Sequence, residues 1–343
     1  MQYRRLGNSG CIVSEFALGA MTFGDEADEK TSGRIIAAYR DAGGNFIDTA
    51  NVYSQGISEE ITGRWLAANQ DEAQQIVLTT KARFPMGNGP NDLGLSRRHL
   101  TRALDASLAR LQVDHIDLYQ MHAWDALTPL EETLRFLDDA IRAGKIGYYG
   151  FSNYLGWQVT KAAHIAHAAN MAPPVTLQPQ YNLLVRGIEH EIVPACLDAG
   201  IGLLPWSPLG GGWLTGKYKR DKVPTGVSRL GDNPNRGMEA YGPRNDDART
   251  WEVIAEVERI AAAHGASMPQ VSLAWLKQKP AVTSVILGAR TTAQLADNLG
   301  AAGLVLTGED VAALDAVSTP PTTVYPYGPQ AVAQRHHKIE GGR

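Results

Sequence analysis

Three apolar runs of this chain each end in a residue that can do chemistry. Asn45-Phe46-Ile47-Asp48-Thr49-Ala50 leads into Asn51-Val52-Tyr53. Ile76-Val77-Leu78-Thr79-Thr80 ends at Lys81, and Ile116-Asp117-Leu118-Tyr119-Gln120-Met121 ends at His122. The two-residue period of a strand puts Asp48 on one face with Phe46 and Ala50, and His122 on one face with Ile116, Leu118 and Gln120. Each residue alone has an ordinary explanation: a capping Asp, a snorkelling Lys, a hydrogen-bonded core His, a packing Tyr. Together they form a coherent set. A phenol is a poor acid at neutral pH. A neighbouring cation lowers its pKa, and Lys81 is the expected source of that charge. Asp48 can hold Lys81 charged and oriented, and His122 can donate a second hydrogen bond to the same substrate oxygen. Such a set polarises a carbonyl and delivers a proton as a hydride arrives.

The elements that must position these residues alternate. Strand-like runs fall at 16–20, 45–49, 76–81, 116–122, 147–152, 176–180, 202–207 and 284–288. Helical windows lie near 32–42, 58–69, 97–111, 131–143, 157–169, 189–199 and 249–264, with shorter ones near 269–278 and 291–300. Ser58 and Ser96 read as helix N-caps, and Gly43-Gly44, Gly144 and Gly200 as helix ends. Strand–helix alternation of this kind implies a parallel sheet with right-handed crossovers, and eight units close into a (β/α)8 barrel. An open doubly wound sheet would carry G-x-G-x-x-G after its first strand; Gly19-Ala20-Met21-Thr22-Phe23-Gly24 lacks it. The expected architecture is therefore an α/β single-domain TIM barrel over residues 1–320, with an irregular tail at 321–343. Residues 1–15 read as a hairpin around Asn8-Ser9-Gly10 that caps the barrel bottom. The Gly-, Pro- and Arg-rich stretch 211–247 reads as a long functional loop after the seventh barrel strand. His336-His337 reads as part of a solvated tail.

Composition narrows the function. The 343 residues carry 32 Lys and Arg against 36 Asp and Glu, a net charge of −4, with 44% hydrophobic residues. A slightly acidic chain with no basic stripe is not expected to bind nucleic acid. No run approaches the roughly 20 apolar residues of a membrane span, and the N-terminus has no apolar signal core. Cys11 and Cys196 read as two reduced thiols of a cytoplasmic protein. A metallohydrolase barrel would show His-x-His after its first strand or a HExxH helix; neither is present, and no metal is expected.

The segment Asn45-Phe46-Ile47-Asp48-Thr49-Ala50-Asn51-Val52-Tyr53, continuing through Ser58-Glu59-Glu60 to Gly63, resembles a motif of the aldo-keto reductases, NADPH-linked carbonyl reductases on a (β/α)8 barrel. The resemblance runs from about Tyr3 to Ser318. It is nearest to the bacterial branch that also resembles potassium-channel β subunits. It implies that the family's catalytic Asp, Tyr, Lys and His fall on Asp48, Tyr53, Lys81 and His122, with Tyr53 the general acid.

The same resemblance implies a coenzyme site for NADPH/NADP+. Ser152, Asn153 and Gln178 would hold the nicotinamide carboxamide. Trp206, in Trp206-Ser207-Pro208-Leu209, would stack on its ring. Gly211 and its glycine neighbours would let backbone approach the pyrophosphate. Lys217 and Arg229 resemble the cationic contacts of the long loop. Gly288, Arg290, Gln294, Asp297 and Asn298 resemble the adenosine site, where Arg290 would read the 2′-phosphate. Many relatives carry Pro before Gly288, where this chain has Leu287. Met21, Phe23, Trp124 and Tyr154 are candidates for an apolar substrate wall, with ordinary packing the competing reading of each. The expected function is reduction of aldehyde or ketone carbonyls of small-molecule substrates. The alternative is a slow-turnover regulatory or redox-sensing subunit that binds the coenzyme; His122 argues against it, because the β subunits carry Asn there.

Overall fold

In the computed structural model, the apolar runs become the staves of a barrel. The structure describes residues 1–320 apart from Val227, Asp232, Arg236 and the side chain of Met238. The tail 321–343, including His336-His337, lies outside the described residues. Among the described residues the strands are β1 (Tyr3–Arg5), β2 (Ile12–Ser14), β3 (Phe16–Gly19), β4 (Phe46–Asp48), β5 (Val77–Ala82), β6 (Ile116–Met121), β7 (Ile146–Ser152), β8 (Thr176–Gln178), β9 (Gly202–Leu203) and β10 (Val285–Gly288).

Strands β3 to β9 pair in sequence order, each parallel to the last, and β10 returns to pair with β3 from Val285 opposite Phe16 to Gly288 opposite Gly19. The ring closes between the segments of β9 and β10. Leu203 N donates to Ala281 O at 2.7 Å, Thr283 N to Leu203 O at 2.9 Å and Ile286 N to Pro205 O at 3.0 Å. The chain is a single (β/α)8 domain. No described helix is long and apolar enough to cross a membrane.

The strands are buried on both faces, as parallel strands under a helical jacket must be. Leu18, Ile47, Tyr119, Met121, Phe151 and Leu177 belong to the cluster shared with the outer helices. Ala17, Phe46, Leu118, Leu204 and Ile286 form a separate cluster inside the barrel. The antiparallel hairpin β1–β2 plugs the N-terminal mouth, because its Leu6 and Val13 join that inner cluster. Two residues further along the same strands, the interior turns polar. Asp48 stands beyond Phe46 and Gln120 beyond Leu118, both buried. The apolar floor is thus a foundation, and the polar storey above it faces the C-terminal mouth.

Of the two helix N-caps expected from the sequence, one is observed. Ser96 caps Arg97–Leu111 by accepting from His99 N. Ser58, expected as a cap, lies inside Ile57–Ala68, which begins after Gly56 in a left-handed turn. Its hydroxyl instead binds Ala20 O at 2.7 Å and Thr49 Oγ1 at 2.8 Å, tying the helix to the ends of β3 and β4. The long loop after β9 holds 3-10 turns at Gly210–Thr215 and Gly237–Glu239 and a short helix at Tyr241–Asp246. A helix at Gly308–Ser318, not expected from the sequence, starts from a reciprocal Thr307–Asp310 cap.

Candidate functional site

Asp48 ends β4, Lys81 lies on β5, and His122 follows β6, its N–H continuing the ladder to Ala82 O at 3.0 Å. Neighbouring staves therefore deliver an acid, a base and an imidazole to one rim. Tyr53 comes from the turn Tyr53–Gly56, which bends through left-handed φ values of 48° at Ser54 and 54° at Gln55. The Ser54 hydroxyl donates to Phe23 O at 2.9 Å and anchors that turn.

The contacts are short and directional. Lys81 Nζ is fully buried and spends all three protons: on Asp48 Oδ2 at 2.6 Å, on Thr49 O at 2.8 Å and on the Tyr53 hydroxyl at 3.2 Å. The other carboxylate oxygen, Asp48 Oδ1, accepts from Gln178 Nε2 at 2.9 Å and from Gln120 Nε2 at 3.4 Å. A buried ion pair is stable only with such added partners. The His122 ring stands edge-on to Tyr53, with centroids 5.7 Å apart, and edge-on to Phe84 at 4.7 Å. No described residue binds either ring nitrogen through a side chain or backbone group; Nδ1 is enclosed without a partner.

Burial dominates the protonation states. It raises the Tyr53 phenol above its ordinary 10.0, with Asp48 adding to the rise, although Lys81 pulls the other way. The expectation that Lys81 would leave the phenol more acidic than usual is thus corrected: desolvation of the phenolate outweighs the cation. Burial works against the Lys81 charge, but Asp48 and Tyr53 more than offset it, and its pKa is raised. Burial, then the charges of Lys81 and Arg83, push His122 well below 6.5. At neutral pH the site therefore holds a protonated phenol, an ammonium and an uncharged imidazole.

A cavity of about 890 Å³ opens from this rim toward the long loop. It is lined by Asp48, Tyr53 and His122, with Lys81 directly behind them. It is also lined by every residue expected at a coenzyme: Ser152, Asn153, Gln178, Trp206, Ser207, Pro208, Leu209, Gly211, Lys217, Arg229, Gly288, Arg290, Gln294, Asp297 and Asn298. Their present bonds differ. The Ser152 hydroxyl donates to Gln178 O at 2.9 Å. Asn153 bridges His122 O at 3.1 Å and the Trp206 indole N–H at 3.0 Å. Asn298 Nδ2 reaches Gly288 O at 3.4 Å, and Asp297 accepts from Ser267 at 3.1 Å and from Gln270. Gly211 and Gly212 take φ of 64° and 99°, and a Cβ on Gly211 would meet Glu239 at 3.0 Å, so a cradle that close to a ligand needs glycine.

The substrate-wall candidates separate. Met21 lines the cavity and is exposed. Phe23 and Tyr154 are buried core residues, and Trp124 packs edge-on between Tyr154 and Trp157 at 5.2 and 5.5 Å. For these three, packing is the reading the structure supports.

At the loop end three cations share the cavity: Lys217, Arg229 and Arg290. Burial, then Arg290 and Arg229, lower the Lys217 pKa. Such crowding fits a polyanionic ligand such as a pyrophosphate. Arg290, expected to read a 2′-phosphate, already holds an anion of the protein. Its Nε lies 2.7 Å from Glu26 Oε2 and its Nη2 lies 3.1 Å from Glu26 Oε1, a bidentate pair. Its backbone N–H binds Gln294 Oε1 at 2.9 Å.

Sequence reasoning missed Glu26, and also Gln180 and Glu239, which bond each other on the cavity wall. Glu26 sits in Gly24-Asp25-Glu26, between the first barrel strand and its helix; only the closure of β10 onto β3 brings it to Arg290. Gln120 shares the His122 face in the strand pattern, and that face is the signal for its bond to Asp48.

The family model described as "Aldo/keto reductase family" matches residues 15–319. A probable voltage-gated potassium channel subunit beta of Oryza sativa subsp. japonica is 38% identical over 321 residues, covering 92% of this chain and 96% of the relative. An uncharacterized oxidoreductase of Bacillus subtilis is 37% identical over 314 residues, covering 89% and 92%. The versiconal hemiacetal acetate reductase of Aspergillus parasiticus is 32% identical over 360 residues, covering 97% and 98%.

Proposed function

The chain belongs to the aldo/keto reductase family, and from that premise we propose that it is an NADPH-dependent reductase of small aldehydes and ketones. One observation carries the reading: the Tyr53 hydroxyl and the His122 ring share the end of a cavity whose far end gathers Lys217, Arg229 and Arg290. When bound, the coenzyme supplies the hydride. The glycine turn at 210–212 and the three cations fit its phosphates, and Gln178, Asn153 and Trp206 stand where a nicotinamide would lie between phosphates and phenol.

The chain's own residues do the rest. A substrate carbonyl oxygen at the rim accepts from the Tyr53 hydroxyl and from the uncharged His122 ring. As negative charge grows on that oxygen, its basicity rises far above that of a phenolate, and Tyr53 gives up its proton. Lys81, 3.2 Å away, stabilises the phenolate that remains. Asp48 and Gln178 keep Lys81 charged and aimed. A phenol with a raised pKa is suited to this work, because it stays protonated until the oxygen demands the proton.

A slow-turnover regulatory subunit is the less favoured reading: the channel-subunit relative matches as fully as those named reductase and oxidoreductase, but the His122 ring stands beside Tyr53 as a second donor for the carbonyl, where the β subunits carry Asn. The test is direct. Purified protein with NADPH and a reactive aromatic aldehyde should consume reduced-nicotinamide absorbance over many turnovers. Consumption that stops at one equivalent per protein would favour the regulatory reading.

A further inference from the structure

Arg83 follows β5 directly, two residues beyond Lys81. Its carbonyl accepts from Gly94 N at 2.8 Å, so the residue is fixed at the root of the loop. Its guanidinium carbon lies 5.2 Å from the Phe84 ring centre, and that ring stands 4.7 Å from the His122 ring, centroid to centroid. A cation therefore stands one aromatic ring beyond the imidazole proposed to orient the carbonyl. It is outside the residues that line the main cavity.

This cation has no anion of its own. Among the described residues it makes no ion pair, and its Nε is enclosed without a hydrogen-bond partner. Asp125 is the acid whose field it shares, along with Tyr154 and His122. The Asp125 oxygens are already engaged by Leu95 N at 2.8 Å, Leu127 N at 3.0 Å and the Thr128 hydroxyl at 2.7 Å. An arginine fork that is half-buried, stacked on a phenyl ring and unpaired is costly to keep unless something uses it. With one face on Phe84 and Nε enclosed, the two Nη groups are the donors left, and that edge of a guanidinium matches a carboxylate in bidentate fashion.

We propose that Arg83 is a specificity residue, pairing with a carboxylate carried by the carbonyl substrate a few bonds from its reacting carbon. The inference rests on the reductase reading above and names its substrate class: carbonyl compounds with a second, anionic group. Arg83 takes no part in the hydride or proton step. It acts on binding, so its effect falls on KM more than on kcat.

The test uses matched pairs. Carboxybenzaldehydes with the acid at the 3- or 4-position are compared with the corresponding formylbenzamides, which have the same shape without the charge. The carboxamide withdraws more electron density, so intrinsic reactivity runs against the expected preference. At low salt, the wild-type protein should favour at least one carboxylate isomer in kcat/KM by roughly tenfold, mainly through KM, and added salt should shrink the ratio. Arg83→Met should bring the ratio close to one, and Arg83→Lys should restore part of it. A wild-type ratio near one for both isomers, or an unchanged ratio in Arg83→Met, overturns the inference while leaving the reductase reading in place. If Arg83→Met does not fold, Arg83→Gln, which keeps the length and polarity without the charge, makes the same comparison, and an unchanged ratio in it overturns the inference. Failure to turn over any aldehyde overturns the reductase reading, and the inference falls with it.

Discussion

At the reacting end of the cavity, Asp48, Lys81, Gln120 and Gln178 are buried, lie on barrel strands, and hold one another by side-chain bonds. At the loop end, Lys217 and Arg229 lie on the long segment after β9, and Arg290 lies just past β10 with Glu26 as its partner. The first end is fixed by the sheet. Its distances follow from strand register, and its low-dielectric setting makes each charge matter. The second end is made of loops, and the Arg290–Glu26 ion pair there is partly solvated. Proton transfer needs fixed geometry over a few ångströms. A coenzyme that enters and leaves needs cations whose partners can be exchanged. Substitutions at the two ends should therefore fail differently: at the reacting end in rate or fold stability, at the loop end in coenzyme affinity.

The largest effect expected is that of Tyr53→Phe. Loss of a general acid costs about 10²–10⁴-fold in turnover, while the loop-end contacts are untouched and NADPH affinity should stay near wild type. Steady-state kinetics together with fluorescence titration of the coenzyme check both halves. A variant with near wild-type kcat breaks the assignment. The pH profile sharpens it. Reduction needs the protonated phenol, whose pKa burial raises above 10.0, and an uncharged His122, whose pKa lies well below 6.5. Activity should be flat between about pH 7 and pH 9, falling only as pH rises past the usual phenol range. A break near 6.5 would mean that His122 titrates in the working site.

Asp48→Asn comes next. It leaves the Lys81 ammonium buried with no counter-charge, which typically costs about 3–5 kcal/mol of fold stability. Denaturant unfolding should show the loss. A fully stable Asp48→Asn protein would mean that Gln178, Thr49 O and Tyr53 suffice to hold Lys81, and the rigid end would be less dependent on charge than its geometry suggests.

How much of this could be read beforehand also divides along the same line. The eight barrel strands fall within or close to their apolar runs, because strands buried on both faces leave an unbroken hydrophobic signature. β9 is the shortest, Gly202–Leu203 where 202–207 reads as strand; Pro205 and Pro208 lack the N–H that a ladder needs. The Asp48, Lys81 and His122 positions were legible because strand ends and period two decide where side chains go. The state of the Tyr53 proton was not, because it depends on the balance of burial against Lys81, and burial is a property of the packed site. Glu26 was invisible for a different reason: its meaning arises only when the first and last strands meet. The helix Gly308–Ser318 was missed because only Leu314 and Ser318 on it are buried, too few to make a periodic stripe.

Arg290→Ala tests the loop end. NADPH differs from NADH by the 2′-phosphate alone, and a charge-assisted contact contributes roughly 1.5–3 kcal/mol, or about 10–150-fold. Because Arg290 must exchange Glu26 for that phosphate, the loss expected is near the lower bound, about tenfold for NADPH and little for NADH. Titrating both coenzymes against wild type and variant is the measurement. Equal losses for both would assign Arg290 to shaping the loop rather than to reading phosphate.

The smallest effect, and the one that bears most closely on the contrast between the ends, is that of Glu26→Gln. In the present geometry Glu26 occupies both arms of the Arg290 fork. A phosphate that approaches Arg290 meets a carboxylate already in place, and repulsion adds to the work of displacing it. Gln keeps the size and one acceptor but removes the charge, so the fork opens more readily. The pair is partly exposed, which limits the gain to about 1 kcal/mol, or roughly fivefold in affinity. NADPH should bind a few-fold more tightly to Glu26→Gln, NADH should change little, and the difference should fade with added salt. Global stability should be unaffected, in contrast to Asp48→Asn. If NADPH instead binds more weakly to Glu26→Gln, Glu26 holds Arg290 in its binding pose, and the loop end is as preorganised as the rim.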